Sequence, residues 1–144
     1  MKAANTSETI ARTPREVFAF VSDQRNEPPW HTDMLEVRVT SGEPVRLGTT
    51  FWYRFKPVMG MSEGTSTITA HEPDHRVVFA EEMGKLKPTT TITVEPDGEG
   101  CRVTRAIDME LTGLIRLMAP MAASMTRKKN VEFLANLKRV LEAG

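Results

Sequence analysis

Apolar positions follow two different periods along this chain. From Met34 to Leu111 they recur every second residue, and from Gly113 to Ala143 every third or fourth. Leu35, Val37 and Val39 alternate with Glu36, Arg38 and Thr40, the pattern of a half-buried strand. Phe51, Tyr53 and Phe55 share one face of the next strand, with Trp52, Arg54 and Lys56 on the other. A polar strand over 62–71 brings Gly64, Ser66 and Ile68 to one face, and Val77, Phe79 and Glu81 share a face on the strand after it. Thr90, Ile92 and Val94 alternate on another, and a last strand over 101–111 sets Val103, Arg105, Ile107, Met109 and Leu111 in register. Turns are expected at 41–44, at 57–60, at Glu72-Pro73-Asp74, at Met83-Gly84 and at Pro96-Asp97-Gly98, where Gly, Pro, Asn or Asp occur together. Short connections make these strands antiparallel neighbours.

Helix signals flank this run. A first strand is expected over 3–10. In Thr13-Pro14-Arg15-Glu16, Thr13 is placed to cap a helix, Pro14 occupies a position whose N–H has no partner to lose, and Glu16 completes a capping box. Val17, Phe18, Phe20 and Val21 then form a short apolar face, Ser22-Asp23 ends the helix or caps a second turn, and Pro28-Pro29 closes the unit before Trp30-His31. The segment 113–143 reads as one long helix bent near Pro120. Its apolar stripe is Leu114, Leu117, Met118, Met121, Met125, Phe133, Leu134, Leu137, Val140 and Leu141. A stripe of that length must be covered, and the strands are the only cover available. The expected architecture is α+β: a curved antiparallel sheet around a terminal helix, with function in the space between.

Composition limits the class. The 144 residues suit one domain, 1–144, that buries a sizeable core. Lys plus Arg and Asp plus Glu both number 19, so no overall field favours nucleic acid. Cys101 is the sole cysteine, which excludes an internal disulfide and suits a reducing compartment. No apolar run approaches the roughly 20 residues of a membrane span, and 1–6 lack a signal-peptide core. A cytoplasmic protein without stable membrane insertion is expected.

Thr13 through Asp23, then Asn26 and Pro29-Trp30-His31, resemble the opening of the START-like polyketide cyclase/dehydrase and lipid-transport superfamily, also called SRPBCC. Gly48-Thr49 before the aromatic strand, His71-Glu72-Pro73 followed by Arg76–Phe79, and Leu134 through Glu142 are similar as well. The resemblance spans nearly the whole chain and is specific for fold rather than function. It implies the helix-grip fold: a seven-stranded sheet curled round the C-terminal helix, two short helices between strands 1 and 2, and a ligand cavity. Members bind lipids, hormones or polyketides, and some act as cyclases or hydrolases. They share no general catalytic set, so no catalytic residue is carried over.

Strand parity places Phe51, Tyr53, Phe55, Phe79, Ile92, Val103, Ile107 and Met109 on the inward face, opposite Met118, Met121 and Met125. The alternatives are a filled core and a cavity wall; flexible methionines suit adaptable binding. Arg105 and Glu81 fall on inward parities among apolar neighbours, where a lone charge is costly, so they meet each other, reach a ligand, or are turned outward by a register slip. A guanidinium suits a carboxylate or enolate oxygen. Trp30 is expected as a plug at the cavity's end. His31 is a weak acid–base candidate, read first as a surface or capping residue, and His71 and His75 read as solvent-facing. No metal-ligand spacing, nucleophile motif or phosphate loop occurs, so no metal and no other cofactor is expected. Arg127-Lys128-Lys129 reads as a solvated face rather than an anionic-lipid contact, and Trp52 on the outer sheet face is a candidate homodimer contact. The leading expectation is a binder of a hydrophobic or aromatic small molecule with one polar handle. The second is a cyclase or dehydratase in which Arg105 polarises a carbonyl and Glu81 or His31 moves a proton; the third is a partner-binding domain with a vestigial cavity.

Overall fold

A computed structural model describes residues 2–110 and 113–144. Seven strands form one antiparallel sheet in the order β1-β7-β6-β5-β4-β3-β2. They are β1 (Lys2–Ile10), β2 (Met34–Val39), β3 (Thr50–Val58), β4 (Met61–Glu72), β5 (Arg76–Glu82), β6 (Thr89–Asp97) and β7 (Gly100–Asp108). Helix α1 (Pro14–Val21) and a 3-10 turn (Gln24–Asn26) lie between β1 and β2, and α2 (Ala119–Glu142) closes the chain. This is the helix-grip arrangement. None of the described helices is long and apolar enough to cross a membrane.

Local chemistry accounts for the short helical unit. Thr13 accepts a hydrogen bond from the Glu16 N–H, Pro14 opens the helix, and Val17, Phe18 and Val21 are buried. Asp23 caps the 3-10 turn by accepting from the Arg25 N–H. In β2 the register shifts between Met34 and Glu36, so Met34 is buried and Leu35 is largely exposed, contrary to the parity expected for Leu35. Two turns also differ from expectation. β3 continues through Pro57 to Val58, leaving Met59 and Gly60, both at positive φ, as the two-residue hairpin turn. Pro96 and Asp97 pair with Cys101 and Gly100, so that turn is Gly98-Glu99.

The terminal helix departs most from the sequence pattern. Gly113–Met118 forms a 3-10 turn and α2 begins only at Ala119, so Pro120 stands in its first turn rather than at a bend. The buried face of α2 is Ala123, Asn130, Phe133, Leu134, Asn136 and Leu137. Leu114, Leu117, Met118, Met121 and Met125 are exposed. At about 100° per residue, the twelve steps from Met121 to Phe133 turn the helix about 120°, so the two apolar runs lie on different faces. Leu111, expected to end the last strand, lies outside the described residues.

Packing divides the concave face of the sheet into two halves. At one end Phe51, Ile68, Val77, Phe79, Ile92, Val94 and Val103 interlock with Val17, Phe18, Val21, Trp30, Phe133, Leu134 and Leu137. At the other, Met34, Tyr53 and Phe55 form a separate cluster without α1 above it. The first half is filled core; the second leaves space.

Candidate functional site

That space is a cavity of about 430 Å³ between the open half of the sheet and α2. Its apolar walls include Met34, Tyr53, Phe55, Ile107 and Met109 from the strands, and Met125 and Phe133 from the helix. It opens to solvent beside Val58, Lys56 and Lys129. Of the expected wall residues, Tyr53, Phe55, Glu81, Arg105, Ile107, Met109 and Met125 line it. Phe51, Phe79, Ile92 and Val103 are instead packed in the filled half, because α1 and the chain after it cover that end, and Trp30 is a core plug among them rather than a cavity-wall residue. Met118 and Met121 point away from it, for the helical reason given above.

Arg105 and Glu81 both border the cavity, yet no ion pair joins them. Arg105 is 7% exposed and is held by the helix: its Nη1 donates to Asn130 Oδ1 at 2.7 Å, and Asn130 Nδ2 donates to the Arg105 carbonyl at 2.8 Å. Its guanidinium carbon lies 5.7 Å from the Trp30 ring centre and 5.9 Å from that of Phe133, so aromatic faces replace part of its lost hydration. Arg105 Nε is buried without a partner. Glu81 is fixed separately: Thr90 Oγ1 donates to Oε2 at 3.0 Å and Gln24 Nε2 to Oε1 at 3.4 Å, while Ser66 Oγ donates to Gln24 Oε1.

His31 departs from expectation. Its ring stacks on Phe133 with centroids 4.0 Å apart, lies edge-on to Trp30, and forms part of the cavity wall. The Trp30 and His31 N–H groups both bond back to the Glu27 carbonyl, closing a turn that presents the ring to the cavity. His71 also touches the core, edge-on to Phe18, whereas His75 is exposed as expected.

Four residues near the polar end escaped the sequence reading: Gln24, Glu27, Thr90 and Asn130. Three had no local signal, being single polar residues whose partners are remote in sequence. Asn130 had one: it stands three, four and seven positions before Phe133, Leu134 and Leu137, on the buried stripe.

Burial dominates the electrostatics. It pushes Glu27 up to about 8, opposed by the charge of Arg105 and reinforced by that of Glu81. Glu81 is also raised by burial, against the charge of Arg105 and its hydrogen bonds. His31 is depressed to about 3 by burial and then by Arg105, and is therefore neutral at physiological pH. Tyr53 is raised by burial and by the two carboxylates, though its buried hydroxyl makes no hydrogen bond of good geometry. The polar end thus combines a fixed cation, two carboxyl groups of raised proton affinity and a neutral imidazole beside an apolar chamber. Such a site can receive a neutral oxygen function on an otherwise apolar body, and can hold or release a proton near it.

The model of one protein family, described as polyketide cyclase / dehydrase and lipid transport, matches residues 1–142. A relative in Mycobacterium tuberculosis, an uncharacterized protein, is 27% identical over 140 residues, covering 93% of this chain and 81% of its own. A Thermus thermophilus protein of known crystal structure superposes with a TM-score of 0.76 at 21% identity, covering 98% of each chain. The major latex-like protein 151 of Panax ginseng superposes with a TM-score of 0.67 at 16% identity, covering 96% of this chain and 93% of that one. At these identities the structural likenesses establish the fold alone.

Proposed function

We propose, from the premise that the chain belongs to the polyketide cyclase / dehydrase and lipid transport family, that it binds a hydrophobic or aromatic small molecule whose polar handle meets Arg105 and Glu81. The observation that carries this reading is the division of one sheet face into a filled half and an empty half. The empty half has a volume of about 430 Å³, within the range of small-molecule sites, and Arg105 and Glu81, each fixed by its own hydrogen bonds, both border it. Burial of the ligand's apolar body against Phe55, Ile107, Met109 and Met125 supplies affinity, and the polar end sets orientation. The buried free thiol of Cys101 suits a reducing cytoplasm.

Native mass spectrometry of protein purified from its source, with a fluorescent fatty acid and anilinonaphthalene sulfonate as probes, tests the reading. A co-purifying apolar molecule, or probe uptake that it displaces, is the expected outcome. Protein that is empty and takes up neither probe overturns it.

Glu81, its proton affinity raised by burial, borders the same cavity as the fixed Arg105 guanidinium, which favours a second reading, a cyclase or dehydratase. Arg105 would polarise a carbonyl, and Glu81 would move a proton within reach of it. Glu81→Gln should then abolish turnover of a polyketide-like substrate while the fold survives. Unchanged turnover removes Glu81 from this role.

A further inference from the structure

Outside the cavity, a feature that the binding reading leaves unused is the apolar face of the 3-10 turn Gly113–Met118 and the first turns of α2. Leu114 is 84% exposed, Leu117 80% and Met121 62%, and Met118 and Met125 are also more than half in water or close to it. Side chains this large seldom stand together in water without a partner surface.

Charge indicates what that partner is. Positions 113–131 carry Arg116, Arg127, Lys128 and Lys129 and no Asp or Glu. Met121, Met125 and Lys128 are spaced four and three apart, and Lys129 stands four after Met125, so both lysines flank the exposed stripe. The face is therefore an apolar strip edged by cations, the composition of a helix lying in an anionic lipid interface.

A second element presents the same chemistry on the same side. The β3–β4 hairpin exposes Lys56, Val58 and Met59, and Val58 lines the cavity mouth together with Met125 and Lys129. Asp33, an acid at this rim, lies between Lys129 at 3.5 Å and Lys56 at 3.9 Å. Both lips of the opening thus carry exposed apolar side chains next to lysines.

We propose that this rim, formed by the 3-10 turn Gly113–Met118, the start of α2 and the β3–β4 turn, docks reversibly on an anionic membrane surface and brings the cavity mouth against the lipid. The apolar strip reaches the acyl boundary while Arg116, Lys128 and Lys129 meet headgroup phosphates. Such contact is peripheral and salt-sensitive.

Vesicle flotation of the intact protein tests this, using phosphatidylcholine alone and phosphatidylcholine mixed in equal parts with phosphatidylglycerol. The protein should float with the mixed vesicles at low salt, stay behind with the neutral ones, and be released by high salt. Arg116→Ala and Lys128→Ala should each weaken binding about fivefold. Leu117→Ser with Met121→Ser should weaken it by about tenfold or more. All four side chains are exposed, so circular dichroism should show an unchanged fold. Equal flotation with both vesicle types, or full binding by the Leu117→Ser/Met121→Ser protein, overturns the proposal. So does light scattering that shows a wild-type dimer turned monomeric by that pair, because the strip would then be covered by a second copy.

Discussion

Arg105 and Asn130 hold each other through two opposed hydrogen bonds, guanidinium to side-chain carbonyl at 2.7 Å and side-chain amide to main-chain carbonyl at 2.8 Å. One strand and one helix, remote in sequence, are thereby clamped at a single buried point. Arg105 owes its orientation toward the cavity to this clamp rather than to an acidic partner. Asn130→Ala removes both bonds and leaves a buried cation short of an acceptor, a loss of about 3 kcal/mol. Denaturant unfolding should show this as a lower midpoint with unchanged slope. Stability equal to wild type would mean that Arg105 is held elsewhere.

Two groups bordering this clamp titrate in opposite senses. Glu27 moves from 4.5 to about 8, so between those values the native state holds a proton that the unfolded chain has released, and stability falls as pH rises. His31 moves from 6.5 to about 3, so between those values the unfolded chain holds the extra proton, and stability rises with pH. The slopes oppose each other from 4.5 to 6.5, leaving a decline from 6.5 to 8 of up to about 1.4 kcal/mol per pH unit. Urea titrations across this window should show it in the wild type and a shallower one in Glu27→Gln. Wild-type stability that climbs through the same window would contradict the Glu27 shift.

Much of the fold was legible because its signals are local. Alternation placed six strands, Thr13-Pro14-Arg15-Glu16 placed α1, and inward parity brought Arg105 and Glu81 to the cavity. What failed depended on a second surface. Period alone does not reveal that the runs ending at Met125 and beginning at Phe133 face different ways, nor that Phe51 and Val103 lie in the filled core while Tyr53 and Ile107 border the cavity. His31 was misplaced for the same reason, since its inward turn depends on stacking against Phe133. The bulge at Leu35 shows how one unpaired residue reverses a face that alternation alone would assign.

Gly64 faces the ring of Tyr53 across the β3–β4 ladder. A Cβ there would lie 2.8 Å from Tyr53 Cζ and 2.9 Å from the Glu82 carbonyl oxygen. The ring could swing into the cavity, but the main-chain oxygen cannot yield without distorting β5. Gly64→Ala should cost about 1–3 kcal/mol and reduce probe binding as Tyr53 is pushed inward. Thermal unfolding with a parallel probe titration measures both, and a variant as stable as wild type would place Tyr53 elsewhere.

Val103 and Ile107 provide the sharpest contrast, since they sit four residues apart on the same strand and face. Val103 is sealed in the filled half, whereas Ile107 borders the cavity. Enlarging each to Trp inserts similar atoms into opposite surroundings. At Val103 they must displace close-packed neighbours, and stability should fall by about 3 kcal/mol or more, since the enlargement exceeds an added methylene. At Ile107 they enter empty space and gain contacts, so stability should change by about 1 kcal/mol or less while probe uptake is lost. Only an empty half-face produces this pattern, because a uniformly packed sheet would penalise both substitutions alike. Equal destabilisation by Val103→Trp and Ile107→Trp, with probe uptake retained in the latter, would show that the chamber beside Arg105 is closed by packing in solution.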